Sequence, residues 1–445
     1  MKPGVFNRGF GALLATQFFG AANDNLLKGV LTFMVIRGGV WDDRLGDGAQ
    51  GLVAMCFTAP FLLLSGYAGQ FADRHSKRDV TVLLRAIELP IAALGMLGFW
   101  SGSLWITLAA LVALTCQSAF FGPAKYGMIP ELVDDALLSR ANGVINMLTN
   151  IAVIAGTYLA GVIADRYHPP ATLAGAREPL PWLPGAALLS IAAAGLAASL
   201  LLPRLAPGDG ALRYDPNPFS TYVASLREMA RSPLLLVTLA WAYFYLLAGL
   251  GLLIIPEYKA VLDITSEQAS RLLALLAIAI GLGSALAGWI SGPRIEPRLV
   301  PLGALGLTVF FTLLGLAPAS FRVVGALISG AGFCAGFYII PLQATLQKLS
   351  PGGERGRFLG TANAMSFSFL MVASLLYWVI RPLYDDKPQR IFLLCAALIA
   401  VGAAYFLYRL RGFKAGGFPR GYCQQCGRTL AGTATRCAAC APQPQ

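Results

Sequence analysis

The sequence predicts an all-α integral membrane protein with twelve transmembrane helices in two six-helix bundles and a small C-terminal zinc ribbon. Hydrophobic residues make up 56% of the chain and charged residues only 13%, against roughly 25% charged in soluble domains. Apolar runs of about 20 residues, the length that crosses a bilayer, recur along the chain. The two halves also share a weak repeat, in which Pro123 precedes Ala141-Asn142 and Pro341 precedes Ala362-Asn363.

The apolar runs place twelve spans along the chain. They lie near residues 10–36, 50–72, 80–100, 104–121, 139–164, 183–203, 233–255, 266–290, 299–317, 321–342, 358–380 and 388–409. We therefore divide the chain into an N-terminal bundle (1–203), a cytoplasmic linker (204–231), a C-terminal bundle (232–410) and a cytoplasmic tail (411–445). Within the linker, apolar residues at helical spacing between 219 and 226 stand beside Arg227 and Arg231, which indicates an interfacial helix, although an ordinary linker is the alternative.

Most lysines and arginines fall in loops on the side that holds both termini. Because positive loops stay in the cytoplasm, both termini are predicted to be cytoplasmic. Topology and attraction to anionic membrane lipids account for the net charge of +12. No nucleic-acid partner is needed to explain it.

The first span carries polar residues at its centre: Asn23, Asp24, Asn25 and Lys28. A charge at this depth costs roughly 3 kcal/mol or more, so it normally faces a partner or a cavity. Asp24 and Lys28 are four residues apart on one helical face. They are therefore either a self-neutralised pair within the helix or part of a binding site.

Other polar residues recur in the spans. Asn142, Asn146 and Asn150 form one stripe along the fifth span, where they either bond between helices or face a ligand. Arg85 and Glu88, three residues apart in the third span, are expected to pair as a structural element. Glu257 and Lys259, just past the seventh span, are gate candidates or a solvated rim.

A basic loop between the second and third spans reads Gly69-Gln70-Phe71-Ala72-Asp73-Arg74-His75-Ser76-Lys77-Arg78. It resembles the signature loop of the major facilitator superfamily, with Ser76 where a second glycine is usual. The resemblance implies two rigid bundles that rock about a central cleft. It further implies that Gly69, Asp73, Arg74, Lys77 and Arg78 act in gating on the cytoplasmic side.

Two further stretches, Phe19 to Lys28 and Phe120 to Leu132, are similar to the lysophospholipid transporter branch of that superfamily, including transporter halves fused to acyltransferases. The resemblance implies inward flipping of lysophosphatidylethanolamine for reacylation, in the inner membrane of a bacterium. This chain departs from the pattern because no acyltransferase domain follows the twelfth span and because residues 250–255 lack an arginine associated with the seventh span. A separate cytoplasmic acyltransferase is therefore a candidate partner.

In this interpretation Asp24 meets the ammonium of an ethanolamine head, and Asn23 or Asn25 binds phosphate or glycerol oxygens, with Lys28 as a counter-charge. Lys125 is expected in a loop at the cytoplasmic mouth of the fourth span. It either binds the phosphate or only helps to set the membrane orientation of the chain.

The tail contains two CxxC pairs, Cys423 with Cys426 and Cys437 with Cys440. Four thiolates at this spacing suit tetrahedral zinc, and a reducing cytoplasm favours metal over disulfides. The sequence therefore predicts one zinc ion in the tail.

We find no nucleophile, base and orienting group at recognisable spacing, so an enzyme is not predicted. Three functions remain: a lysophospholipid flippase, an exporter of small drugs or metabolites, and a transporter-derived scaffold or sensor acting through the zinc ribbon. A lateral opening to lipid favours the first, a sealed central cavity the second and a collapsed cleft the third.

Overall fold

The computed structural model describes residues 7–134, 137–169, 178–205, 215, 217, 219–291, 296, 298–316, 320–350, 355–384 and 387–409. The predicted zinc ligands Cys423, Cys426, Cys437 and Cys440 lie outside these residues. Within them the chain is built of helices joined by short connections, as the composition predicts.

Six long helices make up the first half of the chain. They are α1 (Arg8–Val35), α2 (Ala49–Arg74), α3 (Lys77–Trp100), α4 (Leu104–Leu132), α5 (Leu138–Tyr167) and α6 (Leu183–Leu200). Side-chain caps begin three of them: Asn7 accepts from the Phe10 amide at 2.9 Å, and Ser76 and Ser103 cap α3 and α4 in the same way. Such caps satisfy amides that have no partner within the helix.

The second half continues the helical pattern. Its helices are α7 (Ser220–Met229), α8 (Leu234–Ile254), the short α9 (Tyr258–Val261), α10 (Ser266–Ser291), α11 (Leu299–Leu316), α12 (Phe321–Leu349), α13 (Arg355–Ile380) and α14 (Ile391–Arg409). A 3₁₀ turn at Ile255–Glu257 joins α8 to α9. Helix α7 coincides with the helix predicted in the linker.

The prediction for the end of the fourth span is wrong. Apolar character ends near residue 121, but α4 continues to Leu132 with Pro123 and Pro130 inside it. Neighbouring helices in a bundle tolerate the backbone groups that such prolines release. Lys125 therefore lies in a helix and is buried, rather than in an exposed loop.

Eleven helices among the described residues are long and apolar enough to cross a membrane. Helix α1 is not among these eleven, although its 28 residues are long enough to span. Its central charged and amide residues lower its hydropathy.

The chain forms two compact units. Unit 1 comprises Met1–Pro218, Ile255–Ala274 and Ser374–Pro382, and unit 2 comprises Phe219–Ile254, Leu275–Ala373 and Leu383–Gln445. Two short segments from the second half of the sequence, 255–274 and 374–382, thus pack with helices of the first half. The boundary predicted at residue 203 does not anticipate that these two segments pack with the first half.

Helix α1 is central to unit 1, where it packs against α5, α6, α4 and α2, while α3 packs on α4 and α6. Small residues allow α1 and α5 to approach closely. A Cβ at Gly29 would lie 2.5 Å from that of Ala160, and one at Gly156 would meet the backbone of Ala22. In unit 2, α11 packs on α12 and α14, and α8 packs on the same two helices.

Candidate functional site

The polar residues of α1 meet residues of α4 inside unit 1. The Ser118 hydroxyl lies 2.9 Å from Asp24 Oδ1 and 2.8 Å from Asp24 Oδ2. It also lies 3.2 Å from the Oε1 atom of Gln117. All three side chains are buried, and α4 thus places one hydroxyl donor beside the Asp24 carboxyl group.

A second carboxylate, Glu88 of α3, lies in a separate set of contacts. Arg85 donates to Glu88 Oε2, and Asn23 donates from Nδ2 to Glu88 Oε1 at 2.7 Å. Arg85 also stacks over the Phe121 ring, 4.4 Å from its centroid. Both charged side chains are almost fully buried, which confirms the predicted Arg85–Glu88 pair and gives each charge a partner.

Space for Arg85 depends on a glycine of α1. A Cβ at Gly20 would collide with the guanidinium. A larger residue at this position would require the Arg85 guanidinium to shift. Gly20 therefore makes room for the ion pair in the observed arrangement.

Asp24 and Lys28 do not form the self-neutralised pair within α1, which was one of the two alternatives. Both residues are described, and no ion pair of 4.0 Å or less joins them. The Lys28 ammonium lies over the Phe57 ring, 4.6 Å from its centroid. Asp24 is still within electrostatic range of Lys28. The two charges therefore have different neighbours, although they share one face of the helix.

Lys125 stands on α4 two turns beyond Ser118. Its ammonium lies 4.4 Å from the centroid of the Tyr126 ring, and no ion pair to it occurs among the described residues. It is within electrostatic range of Asp24 and Arg85. Lys125 is thus a buried cation whose described neighbours include no paired anion.

The predicted asparagines divide into two groups. Asn23 bonds Glu88, and Asn25 bonds back to the Ala21 carbonyl oxygen at 2.8 Å, so both donate to protein acceptors. On α5, Asn146 accepts from Tyr126 at 3.2 Å. Asn146 and Asn150 are exposed, and Asn142 is half-buried. The stripe is therefore most accessible at its second and third positions.

Glu257 is the centre of a buried polar network at the start of α2, which we name the Glu257 network. It accepts from Gln50 Nε2 at 2.5 Å, from Tyr377 Oη at 3.0 Å and from Arg381 Nε and Nη2 at 2.9 and 3.0 Å. Asp47 lies 3.8 Å from Arg381 Nη1. All five residues belong to unit 1.

Close packing surrounds this network. A Cβ at Gly51 would lie 2.6 Å from the carbonyl oxygen of Ser374, and Gly48 has a φ of +89°. Both positions favour glycine, the first for space and the second because L side chains rarely adopt that φ. The solvated-rim alternative for Glu257 is therefore wrong, since this side chain is buried and accepts from three neighbours.

Two further contacts tie residues 255–274 to the first half. Lys259 donates to the Gly38 carbonyl oxygen at 3.0 Å. The carboxylate of Asp165 accepts from the backbone amides of Ser266 and Glu267 at 2.9 and 2.8 Å. An acidic side chain at the start of α10 satisfies free amides and complements the helix dipole.

The signature loop lies at the other end of α2, about 36 Å from Gln50 at 1.5 Å per residue. Lys77 forms an ion pair of 2.7 Å with Glu131 of α4, and Arg78 pairs with the adjacent Asp79. Asp73 is exposed. A Cβ at Gly69 would meet nothing within 4 Å, so space in this structure does not require glycine there.

Sequence reasoning missed Ser118 and Gln117 beside Asp24, and it missed Gln50, Asp165, Tyr377 and Arg381. These residues are far from their partners along the chain, up to 327 residues for Gln50 and Tyr377. The one available signal was the charge of Asp165 and Arg381 at the ends of apolar spans.

Comparison with known proteins places this arrangement in a family. The family model described as Major Facilitator Superfamily matches residues 13–375. Among curated relatives, the lysophospholipid transporter LplT of Yersinia enterocolitica is 29% identical over 378 residues, covering 82% of this chain and 83% of the relative. LplT of Serratia proteamaculans is 27% identical over 369 residues, covering 81% and 84%.

Solved structures agree on the fold. A POT family transporter in complex with 5-aminolevulinic acid superposes with a TM-score of 0.70 at 13% identity, covering 90% of this chain and 96% of that chain. A bacterial homolog of the human lysosomal transporter Spinster gives a TM-score of 0.66 at 16% identity, covering 92% and 98%.

The prediction that the chain is not an enzyme is confirmed by the curated relatives, which are named as transporters. The resemblance seen in the motifs is likewise confirmed over most of the chain. This protein belongs to the Major Facilitator Superfamily and is similar within it to the lysophospholipid transporters.

Proposed function

We propose that this protein moves lysophospholipids, chiefly those with an ethanolamine head, to the cytoplasmic leaflet for reacylation. The observation that carries the proposal is the pair Asp24 and Lys125. The acidic and the basic side chain are buried in the same unit within electrostatic range of each other, and no ion pair joins either one to a described residue. A zwitterionic head group offers each of them a partner.

The charges near α1 support a phosphate-bearing ligand. Arg85 and Glu88 neutralise each other, which leaves Asp24 against the two cations Lys28 and Lys125. At least one positive charge is in excess, whether Asp24 is ionised or protonated, so an anion is favoured. A phosphate near Lys125 or Lys28 would neutralise this excess, and an ammonium group would pair with Asp24.

Asn23 and Asn25 are less suited to the ligand than the sequence predicts, because each donates to a protein acceptor. We therefore assign the head group to Asp24, Lys28 and Lys125. Asn142, Asn146 and Asn150 remain candidates for glycerol or chain-end contacts on α5.

Transport requires two gates that do not open together. We assign one gate to the Glu257 network with Lys259, and the other to the signature loop with Gly69, Asp73, Arg74, Lys77 and Arg78. They lie at opposite ends of α2. With α1 counted as the twelfth span and both termini cytoplasmic, the Glu257 network faces the outer side of the bacterial inner membrane.

The tail is proposed to bind one zinc ion through Cys423, Cys426, Cys437 and Cys440 and to recruit a cytoplasmic partner such as an acyltransferase. Four thiolates are a closed structural set for zinc. Metal analysis of purified full-length protein should give about one zinc per chain, falling to none when all four cysteines are serine. A chain truncated after Arg411 should still transport lipid.

Reconstitution in liposomes tests the function. Fluorescent lysophosphatidylethanolamine in the inner or outer leaflet is followed by dithionite quenching and by albumin back-extraction. Protein-dependent exchange between leaflets supports the proposal. No exchange, from protein that keeps its thermal unfolding transition, would overturn it.

A further inference from the structure

The hydrogen bonds at Asp24 contain fewer hydrogens than acceptors. Ser118 has one hydroxyl hydrogen, yet its oxygen lies within 3.2 Å of three acceptor oxygens, two on Asp24 and one on Gln117. No other hydrogen bond reaches the Asp24 carboxylate among the described residues. An ionised, buried carboxylate would thus share a single hydrogen with a competing amide oxygen, which is a costly arrangement.

The orientation of Gln117 is fixed independently. Its Nε2 group donates to the Leu84 carbonyl oxygen at 3.2 Å, so Oε1 is the atom that faces Ser118. The amide therefore offers Ser118 only an acceptor. Rotating the amide to relieve Asp24 would leave the carbonyl oxygen of Leu84 opposite another acceptor.

One additional proton supplies the missing donor. With a proton on Asp24, the carboxylic acid donates to the Ser118 oxygen, the Ser118 hydroxyl donates to Gln117 Oε1, and Gln117 Nε2 donates to Leu84. Every donor then meets one acceptor, and the chain of bonds runs in a single direction from α1 through α4 to α3.

Glu88 provides the contrast within the same unit. It accepts from Asn23 and Arg85 and is therefore satisfied as a carboxylate. The other charged groups acting on Asp24 are Arg85 and Glu88 on α3, Lys28 on α1 and Lys125 on α4. Of this pair of carboxyl groups, Asp24 is the one that lacks enough donors for its ionised form.

We propose that Asp24 is a proton-binding site whose proton is exchanged for the ammonium group of the substrate. This deepens the proposed function and rests on it. When a lipid ammonium arrives, Asp24 releases its proton to water and the ionised carboxylate accepts from the ammonium instead. One proton leaves for each ammonium bound, so the combined charge of the carboxyl group and its cation stays at zero, while the lipid phosphate adds one negative charge beside the lysines.

The exchange predicts a difference between two head groups. Lysophosphatidylethanolamine carries an ammonium and should displace the proton, whereas lysophosphatidylglycerol carries none and should not. By linkage, proton release per bound lipid is about one where empty Asp24 is protonated and falls to none in alkali, where it is already ionised.

Proton release and binding are measured on the same detergent-solubilised full-length protein. A pH indicator in weak buffer reports release, and calorimetry reports binding, from about pH 5 to about pH 8, a range that brackets a titrating carboxyl in a buried site. The Asp24→Asn variant should still bind lysophosphatidylglycerol. It should release no protons when either lipid is added. The asparagine amide can donate to Ser118 as the acid does, so this variant is expected to fold.

Asp43→Asn is the matched control, since that side chain is 79% exposed and distant from the site in sequence; it should release protons as the original protein does. Ser118→Ala should bind the ethanolamine lipid but shift the midpoint pH of release. Three results would overturn the inference and leave the proposed function standing. They are binding of that lipid without proton release at any pH, proton release that persists in Asp24→Asn, and lipid binding that requires sodium. Absence of binding by either lipid would overturn the proposed function together with the inference.

Discussion

The Ser118 hydroxyl lies almost equally far from the two carboxylate oxygens of Asp24, at 2.9 and 2.8 Å. The two residues are 94 positions apart, and their contact joins α1 to α4 inside unit 1. The proposed proton exchange depends on this contact.

Replacing Asp24 by Asn should weaken transport of lysophosphatidylethanolamine on the order of 10-fold to 100-fold, because a charged hydrogen bond contributes about 1.5–3 kcal/mol. Liposome exchange assays measure the rate at limiting lipid. Transport of lysophosphatidylglycerol should fall less, since it has no ammonium. Equal loss for both lipids would show that Asp24 supports structure rather than the ammonium.

Lys125→Met should lower the affinity for both lipids by a similar factor of about 10, because both carry the phosphate and a lost charged contact costs at least about 1.4 kcal/mol. Binding calorimetry on the purified variant gives the factor. Lys387→Met, at an exposed position in unit 2, serves as the control. An unchanged affinity in the Lys125 variant would assign this lysine to structure alone.

Arg85→Met should destabilise the protein by about 3–5 kcal/mol, because it leaves the Glu88 carboxylate buried without its cation. Thermal unfolding in detergent measures the loss. The double variant Arg85→Met/Glu88→Gln should recover most of it, since no charge is then left unpaired. If the double variant were no more stable than the single one, the pair would not be the source of the loss.

Glu257 and Arg381 should be energetically coupled. A double-mutant cycle with Glu257→Gln and Arg381→Gln is expected to give a coupling free energy of about 1–3 kcal/mol in thermal unfolding. The pair Glu296 and Arg298 is the control, because the arginine is 93% exposed and such pairs contribute at most about 1 kcal/mol. Equal coupling in the two cycles would contradict the buried Glu257 network.

His168, at the C-terminal end of α5, should make the stability of unit 1 sensitive to acid. Burial, with help from the nearby Lys259 charge, lowers the pKa of His168 below its ordinary value, while Asp42 opposes the shift. The folded arrangement therefore binds the proton less well than the unfolded chain does. The contribution of neutral His168 to the free energy of unfolding is fully present above about pH 6.5 and declines as the pH falls below that value.

Melting temperatures at a series of pH values between about 7.5 and 5.5, which bracket an ordinary histidine, test this expectation. His168→Gln should flatten the decline. A profile that is the same in both proteins would assign the acid sensitivity to another group.

By itself, the sequence determined the membrane class, the approximate limits of the spans and the polar residues of α1. It also determined the Arg85–Glu88 pair, because residues three apart share a helical face. These features depend on composition and on helical periodicity, which a single segment contains.

The tertiary structure alone decided which residues face one another across helices. Spacing along the chain does not relate Asp24 to Ser118 or Glu257 to Arg381, which are 94 and 124 positions apart. It likewise decided that α4 continues through Pro123 and buries Lys125, since that outcome depends on neighbouring helices and not on the apolar run. Asp24 and Lys28 are neighbours by helical spacing, yet packing gave one a serine and the other an aromatic ring, because contacts between helices outweigh a weak pairing on one helix.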